Sequence, residues 1–316
     1  MTRRFTYSAV LTNYNHSKYL PKALANIRNQ TVKFDEVLII DDASTDNSVE
    51  VIKAEIAAMP YARLIQNPVN RGVVASLNFG CEEAKGDYIY ALAADDSYDL
   101  HTLQWCQDIT ENHPEVGMVS GNACVHIEAT GQMRHFALPL PQDGPAIYER
   151  SALDALADKR CITFFGGANL IKRSAILEAG GQLAELKWHA DWFFYLLIAI
   201  RYPFGVLPRE LVTIRLAGDQ YSNASNHWEK QKPVIETFIR LVHERYPNEY
   251  PFFRNHGLLP TYDLQSLPLL LLQKDLRPYL TPLLVWRLLT YKPLRAIARA
   301  GIPEPVRNII RKWFNV

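Results

Sequence analysis

The sequence predicts an α/β fold, a mostly parallel sheet flanked by helices, followed by a helical C-terminal region. Three observations carry this expectation. Strand-like and helix-like segments alternate through the N-terminal third, the pattern of βαβ units. Three polar clusters, Thr12 to Asn15, Asp41 to Ser44 and Asp95 to Asp96, each follow an apolar strand. After about residue 228 the chain turns leucine-rich and helical, with prolines interrupting at 260, 268, 278, 282 and 293. Ligands of open α/β sheets sit at the carboxyl ends of the strands, so the clusters mark one sheet edge as the functional one.

The elements follow in order. Residues 5 to 11, "FTYSAVL", read as the first strand, and residues 17 to 30 as a helix with apolar positions at Leu20, Leu24 and Ile27. "EVLIIDDAS" is an apolar strand ending in acids, and "TDNSVEVIKAEIAAM" is a helix preceded by capping residues. "ARLIQNP" is a short strand, "NRGVVASLNFGCEEAKG" a helix closed by Gly86, and "DYIYALAADD" the next strand. Further on, "VGMVSGNACVHI" is a strand, 135 to 146 a Pro-rich loop and 151 to 159 a helix. "CITFFGGANLIKRSAILEAGG" reads as a strand, a glycine turn and a helix. "WHADWFFYLLIAIRYPFGVLP" is an apolar helix introduced by His189 and Asp191, and "ELVTIRL" a final strand.

Composition narrows the classes. A chain of 316 residues with 48% hydrophobic and 21% charged residues has enough apolar material for a sizeable core, which excludes disorder. A net charge of +1 gives no global field toward nucleic acid. Cys81, Cys106, Cys124 and Cys161 are widely spaced, with no CxxC and no His/Cys cluster along the sequence. They read as buried free thiols, and structural zinc is not expected. The N-terminus reads as a core strand rather than a signal peptide, so the cytoplasm is the expected compartment.

The pair Asp95 and Asp96 poses the main question. Adjacent carboxylates repel, so their place at a strand end calls for a cation or a ligand. No GxGxxG or GxxxxGK[ST] follows a strand, so a glycine cradle for phosphate is missing. A divalent cation carrying a diphosphate is the alternative holder, since Mg²⁺ and Mn²⁺ take one or two carboxylates plus substrate phosphates. A solvated turn or helix cap is the plain reading of either acid alone.

Five stretches resemble the family 2 glycosyltransferases, inverting enzymes of the GT-A fold. These are "AVLTNYNHSKYLPKALANIRNQT" (9 to 31), "VLIIDDASTDNS" (37 to 48), "NRGVVASLNFG" (70 to 80), "GDYIYALAADDSYD" (86 to 99) and "HADWFFYLLIAIRYPF" (189 to 204). They stand in the family's order and spacing over about the first 220 residues, and are similar to spore-coat-type and surface-polysaccharide members. The resemblance implies transfer of a sugar from a nucleotide-diphospho-sugar, UDP favoured, to a hydroxyl of a glycan or lipid-linked acceptor. It implies that Thr12, Tyr14, Asn15, Asp41, Asp42 and Asp95 bind the nucleotide-sugar. Asp96 would hold a divalent cation, Mn²⁺ or Mg²⁺, with Asp95 as its alternative ligand, and Asp191 would be the general base. "GGAN" (166 to 169) falls where acceptor-side glycines commonly lie, though a plain turn also explains it.

Two departures from the family pattern thin the expected cation site. Ala93 replaces the first acid of the DxD-like motif, and Ala217 stands where many members carry a histidine. Arg215 reads as a surface arginine, with phosphate contact as the alternative. The expected organisation is a GT-A domain over 1–225 and a helical region over 226–316, serving a membrane surface or oligomerisation. From Arg277 to Val316 eight basic residues face one acid, Glu304, with aromatics interleaved. Such a tail suits an anionic membrane surface and is too short in apolar run to span one. The chain is thus expected in the cytoplasm, with the inner face of the cell membrane as its docking place. A degenerate sugar-nucleotide-binding scaffold is the rival reading, and a nucleotidyltransferase a more distant one.

Overall fold

The structure, a computed structural model, describes residues 4–158, 163–217 and 227–299, with side chains up to residue 290 in the last helix. Cys161 and the basic tail beyond residue 299 lie outside the described residues. The chain divides into two compact units. One comprises Met1–Arg150, Thr163–Ala184 and Ala190–Gln220; the other comprises Ser151–Ile162, Glu185–His189 and Tyr221–Val316.

The first unit is an α/β layer structure. In chain order it contains β1 (Tyr7–Asn13), α1 (Leu20–Arg28), β2 (Glu36–Asp41), α2 (Ser48–Ile56), β3 (Ala62–Gln66), α3 (Val73–Glu83), β4 (Tyr88–Ala93), β5 (Ser97–Tyr98) and α4 (Thr102–Asn112). Then come β6 (Met118–Ile127), β7 (Gln132–Phe136) and β8 (Ala146–Tyr148). Past α5 (Arg150–Asp158), which belongs almost wholly to the second unit, follow β9 (Asn169–Lys172), α6 (Arg173–Ala179), α7 (Ala190–Arg201) and β10 (Phe204–Leu216).

The strands form one sheet in the order β3-β2-β1-β4-β9-β6-β10-β5, with β7 on β6 and β8 on β10. Strands β3, β2, β1 and β4 are mutually parallel, and β6 runs parallel to β10. Only β9 reverses between them, antiparallel to both β4 and β6, so the six long strands point one way and their carboxyl ends share one edge. Central strands of such sheets are covered on both faces and lose the alternating pattern. Tyr7, Ala9, Val10 and Leu11 are accordingly all buried, as are Val37 to Ile40.

Three expectations change. The helix α3 ends at Glu83, not at Gly86. Gly86 instead lies against β1: a Cβ there would stand 2.6 Å from the Ser8 backbone nitrogen, so the glycine is set by close approach and not by a helix end. In the 161–181 stretch the strand β9 follows the glycine turn rather than preceding it. Strand β10 begins at Phe204 and is irregular between Leu207 and Val212, where Pro208 removes a ladder donor. Helix α7 is buried over nine of its twelve residues, Phe193 to Ile200 among them, while Trp192 is only partly buried.

The second unit is helical, with α8 (Trp228–Arg245), α9 (Tyr250–Asn255), α10 (Ser266–Leu272) and α11 (Pro282–Arg299) following α5. Arg287, one of the eight basic residues of the expected membrane-facing tail, is fully buried. Its guanidinium donates to the carbonyls of Ala157 and Asp158 and to the Tyr262 hydroxyl, capping the end of α5. That arginine is a structural cap. Among the described residues no helix is long and apolar enough to cross a membrane.

Candidate active site

One side of the edge is built by two interlocked loops. Asp41 ends β2 beside Asn13, its register partner on β1. Its carboxylate accepts from Asn13 Nδ2 at 2.8 Å, Ser44 Oγ at 2.6 Å and the Ser44 backbone N–H at 3.0 Å. Asn15, at positive φ, accepts from the backbone N–H groups of Thr45 at 2.7 Å and Asp46 at 3.3 Å. The two residues thus tie the loop after β1 to the loop after β2.

Asp42 is equally engaged. One oxygen accepts from Asn67 Nδ2 at 2.7 Å and the Arg71 backbone N–H at 2.9 Å, the other from Gly72 N–H at 2.8 Å. Burial raises its pKa, but these hydrogen bonds outweigh burial and hold it below the ordinary carboxylate value. Asp42 therefore fixes the entry to α3, where Gly72 takes a positive φ of 84°. Thr12 lies at the same edge between β2 and β4, and the Tyr14 ring, 43% exposed, stands free to take a flat partner.

The acidic pair has a cation of the chain's own. Arg215, near the end of β10, is only 8% exposed, so the surface reading of this residue was wrong. Its Nε and Nη2 donate to Asp95 Oδ2 at 3.3 and 3.1 Å, and Nη1 donates to Glu128 Oε2 at 2.8 Å. The guanidinium lies 4.3 Å from the centre of the Tyr19 ring, a cation–π contact. Its backbone N–H donates to Asp96 Oδ1 at 3.0 Å. Burial, and then the neighbouring Asp95 charge, push the Asp96 carboxyl up to about 7. Tyr98 closes the turn: its hydroxyl meets the backbone of Ala93, accepting from N–H at 2.7 Å.

The glycine turn brings the remaining acid to this place. Gly166 and Gly167 are successive residues whose Cα atoms are ~3.8 Å apart. A Cβ on Gly166 would stand 3.3 Å from Asp191 Oδ2, and one on Gly167 would stand 3.6 Å from Asp96 Oδ2 and 3.2 Å from Val212 Cγ2. The two carboxylates therefore flank one glycine pair, within roughly a dozen ångströms of each other. Tyr90 Oη donates to the Gly167 carbonyl at 2.9 Å, and Asn169 Nδ2 to that of Phe165 at 2.6 Å, which fixes the turn. Asp191 sits in the first turn of α7, and its Oδ1 accepts from the Trp192 N–H at 2.7 Å. Burial raises its pKa, and the Trp192 hydrogen bond offsets only part of that.

Chemically, the arrangement offers hard oxygen ligands, one fixed guanidinium, an aromatic face and a separate carboxylate of raised basicity. The model of the family "Glycosyl transferase family 2" matches residues 8–178. The chain belongs to this family. It is a glycosyltransferase, and its relatives are as well. It is 25% identical over 252 residues to the uncharacterized glycosyltransferase alr2836 of Nostoc sp., covering 77% of this chain and 74% of that one. It is 22% identical over 235 residues to the amylovoran biosynthesis glycosyltransferase AmsE of Erwinia amylovora, covering 73% and 84%. The S. aureus TarS 1-349 structure in complex with UDP-GlcNAc superposes with a TM-score of 0.60 at 14% identity, covering 91% of this chain and 92% of that one. The mannosyltransferase PcManGT of Pyrobaculum calidifontis, in complex with GDP-Man and Mn²⁺, gives 0.57 at 18% identity, covering 98% and 80%. At these identities the structural likeness speaks for the fold, which is GT-A-like.

Sequence reasoning missed Arg215, Glu128 and Tyr19 as one cluster, because strands β6 and β10 and helix α1 lie far apart in the chain. It missed Asn67 and Gly72 as partners of Asp42 for the same reason. The polar residues that follow "LIQ" and open "NRG" were the available signal.

Proposed function

We propose that the chain moves a sugar, with inversion, from a nucleotide-diphospho-sugar to a hydroxyl of a glycan or lipid-linked acceptor in surface polysaccharide synthesis. The observation that carries this reading is the glycine pair flanked by Asp96 and Asp191. A single inverting displacement needs a donor held by its diphosphate and one base on the opposite side of the anomeric carbon. Asp191, partly buried and raised in basicity, takes the proton of the acceptor hydroxyl as that oxygen bonds to C1 and the nucleoside diphosphate leaves. Gly166 and Gly167 keep the space beside both carboxylates open.

Tyr14 and Thr12 hold the nucleoside, with the clamps of Asn15, Asp41 and Asp42 keeping their loops in place. Arg215 faces the diphosphate. The donor set of the acidic pair suits a divalent cation: Asp96 Oδ2 faces the glycine turn, where any side chain at 167 would approach it. Asp96, with Asp95 beside it, would hold Mn²⁺ or Mg²⁺. Such a cation would neutralise the leaving diphosphate. Ala93 and Ala217 offer no ligand, and Arg215 supplies positive charge in their place. The transfer machinery is assigned to residues 1–225. The C-terminal region, 226–316, is assigned a peripheral role on an anionic cytoplasmic membrane face, supported by exposed Leu272, Leu271 and Leu289.

The test is a thermal-shift panel of UDP-, GDP- and dTDP-sugars with and without Mn²⁺, followed by turnover. One donor at 100 times its Kd should stabilise by ~2.7 kcal/mol, and an acceptor hydroxyl should consume it. Donor binding with no turnover against any acceptor would favour a binding scaffold, the reading that the two alanines suggest. No donor binding at all would sink the proposal.

A further inference from the structure

Away from the carboxyl edge, three adjacent strands place one metal-ligating side chain each at a common point. Cys124 is on β6, His135 on β7 and Glu210 on β10, and Cys124 and His135 are direct cross-strand partners. One ligand atom from each residue lies within 4.8 Å of the other two. The thiol is 1% exposed, while His135 and Glu210 reach solvent. We propose that Cys124, His135 and Glu210 form a binding site for a divalent ion of the zinc class.

The donor set carries the assignment. A sulfur, an imidazole nitrogen and a carboxylate oxygen together match a borderline-soft ion and do not suit Mg²⁺ or Ca²⁺, which favour oxygen alone. Three protein ligands leave the fourth tetrahedral position to water, and the solvent-reaching His135 and Glu210 give the ion its entry. His135 Nδ1 and Glu210 Oε1 are 2.6 Å apart, joined by a hydrogen bond. Around a tetrahedral ion at ~2.0 to 2.1 Å from each, N and O sit ~3.3 Å apart. Binding therefore puts the ion in place of that hydrogen bond, with the imidazole proton carried on Nε2 and the thiol proton lost to solvent, and draws together ligand atoms that now lie within 4.8 Å of one another.

The site is distinct from the acidic pair. Cys124 precedes Glu128 by four positions on the β6 side, and Glu210 precedes Arg215 by five on β10. At ~3.3 Å per residue this separates the two places by about 13–17 Å. Its role is structural. Strand β7 is exposed at all five positions, and among the described residues it pairs as a strand with β6 alone. An ion shared with β10 fastens that edge strand across its neighbour.

Co²⁺ titration of the untagged, reduced full-length chain tests the proposal, because a thiolate-to-cobalt charge-transfer band reports sulfur ligation alone. The expected result is a one-equivalent band, displaced by Zn²⁺ and retained in Asp96→Asn. It should be absent in Cys124→Ser. In His135→Ala and Glu210→Gln, exposed positions where folding is safe, Zn²⁺ affinity by calorimetry should fall by more than the ~10–100-fold of an outer-sphere contact. Absence of the band in the parent chain, or equal Zn²⁺ affinity in parent and His135→Ala, overturns the site.

Discussion

Replacing Arg215 by Gln tests what holds the acidic pair in place. The side chain makes two ion pairs in different surroundings. The one with Glu128 is partly solvated, with 39% of the glutamate side chain exposed, and contributes little. The one with Asp95 is 9% and 15% exposed, and breaking such a pair costs ~3–5 kcal/mol because the remaining charge keeps its burial without its partner. Asp95 can regain some water, so the lower end applies, and the Tyr19 contact adds ~0.5–2 kcal/mol. A loss of ~3 kcal/mol in a unit of this size lowers Tm by roughly 6–12 °C. Scanning fluorimetry with and without millimolar Mn²⁺ is the assay. Mn²⁺ should recover more Tm in the variant than in the parent, since the cation takes over the charge that the guanidinium supplied. A variant within 1–2 °C of the parent, roughly the scale of ~0.5 kcal/mol, would refute the view that Arg215 is the chain's internal counter-ion.

Three other perturbations follow from the same geometry. Gly167→Ala forces a side chain into positive φ, 3.2 Å from Val212 Cγ2, at a cost of ~1–2 kcal/mol; transfer should fall at least tenfold while nucleotide binding persists, and an unchanged rate would show that the turn is not part of the site. Asp42→Ala removes the acceptor of three hydrogen bonds, and should raise the donor KM and lower Tm through the loosened 70–72 loop; an unaltered KM would separate that loop from donor binding. Asp191 makes a pH-dependent contribution to stability. Burial raises its folded pKa above 3.8, so folding favours the protonated form, and its contribution is lost as pH rises from the unfolded value through the folded one. Asp191→Asn should therefore be more stable than the parent at pH 8 and by less at pH 4, measured by urea titration; the opposite order would show a carboxylate stabilised by its surroundings.

Much of the parallel half of the fold was legible because its strands carry their own signal. "SAVL" and "VLII" are continuous apolar runs bounded by polar clusters, and helices α1 to α3 follow at the spacing of βαβ units. The reversed strand β9 was less legible, since its pairing with β4 and β6 is non-local and the glycines before it give no direction. Asp95, Asp96 and Asp191 were readable as residues, while their meeting was implied only by the family resemblance. That depends on the 166–167 turn held by Tyr90 and Asn169, whose hydroxyl and amide look like ordinary strand residues in sequence. Arg215 was misread for a related reason. A lone arginine after an apolar strand looks solvated until β6 brings Glu128 and the 93–98 turn brings Asp95 to it. Ligand atoms shared by β6, β7 and β10 leave no spacing motif at all.

Single-turnover transfer by Asp191→Asn, with donor saturating and its binding measured separately, tests the central claim most directly. Asparagine keeps the size and the hydrogen bond to Trp192 but cannot take a proton. Donor affinity should stay within about twofold, because the proposed nucleotide contacts lie at the ends of β1, β2 and β4, while the transfer step slows by roughly 10²–10⁴-fold. Transfer at near-parent rate, with donor affinity intact, would contradict the account and reduce Asp191 to the cap of its helix.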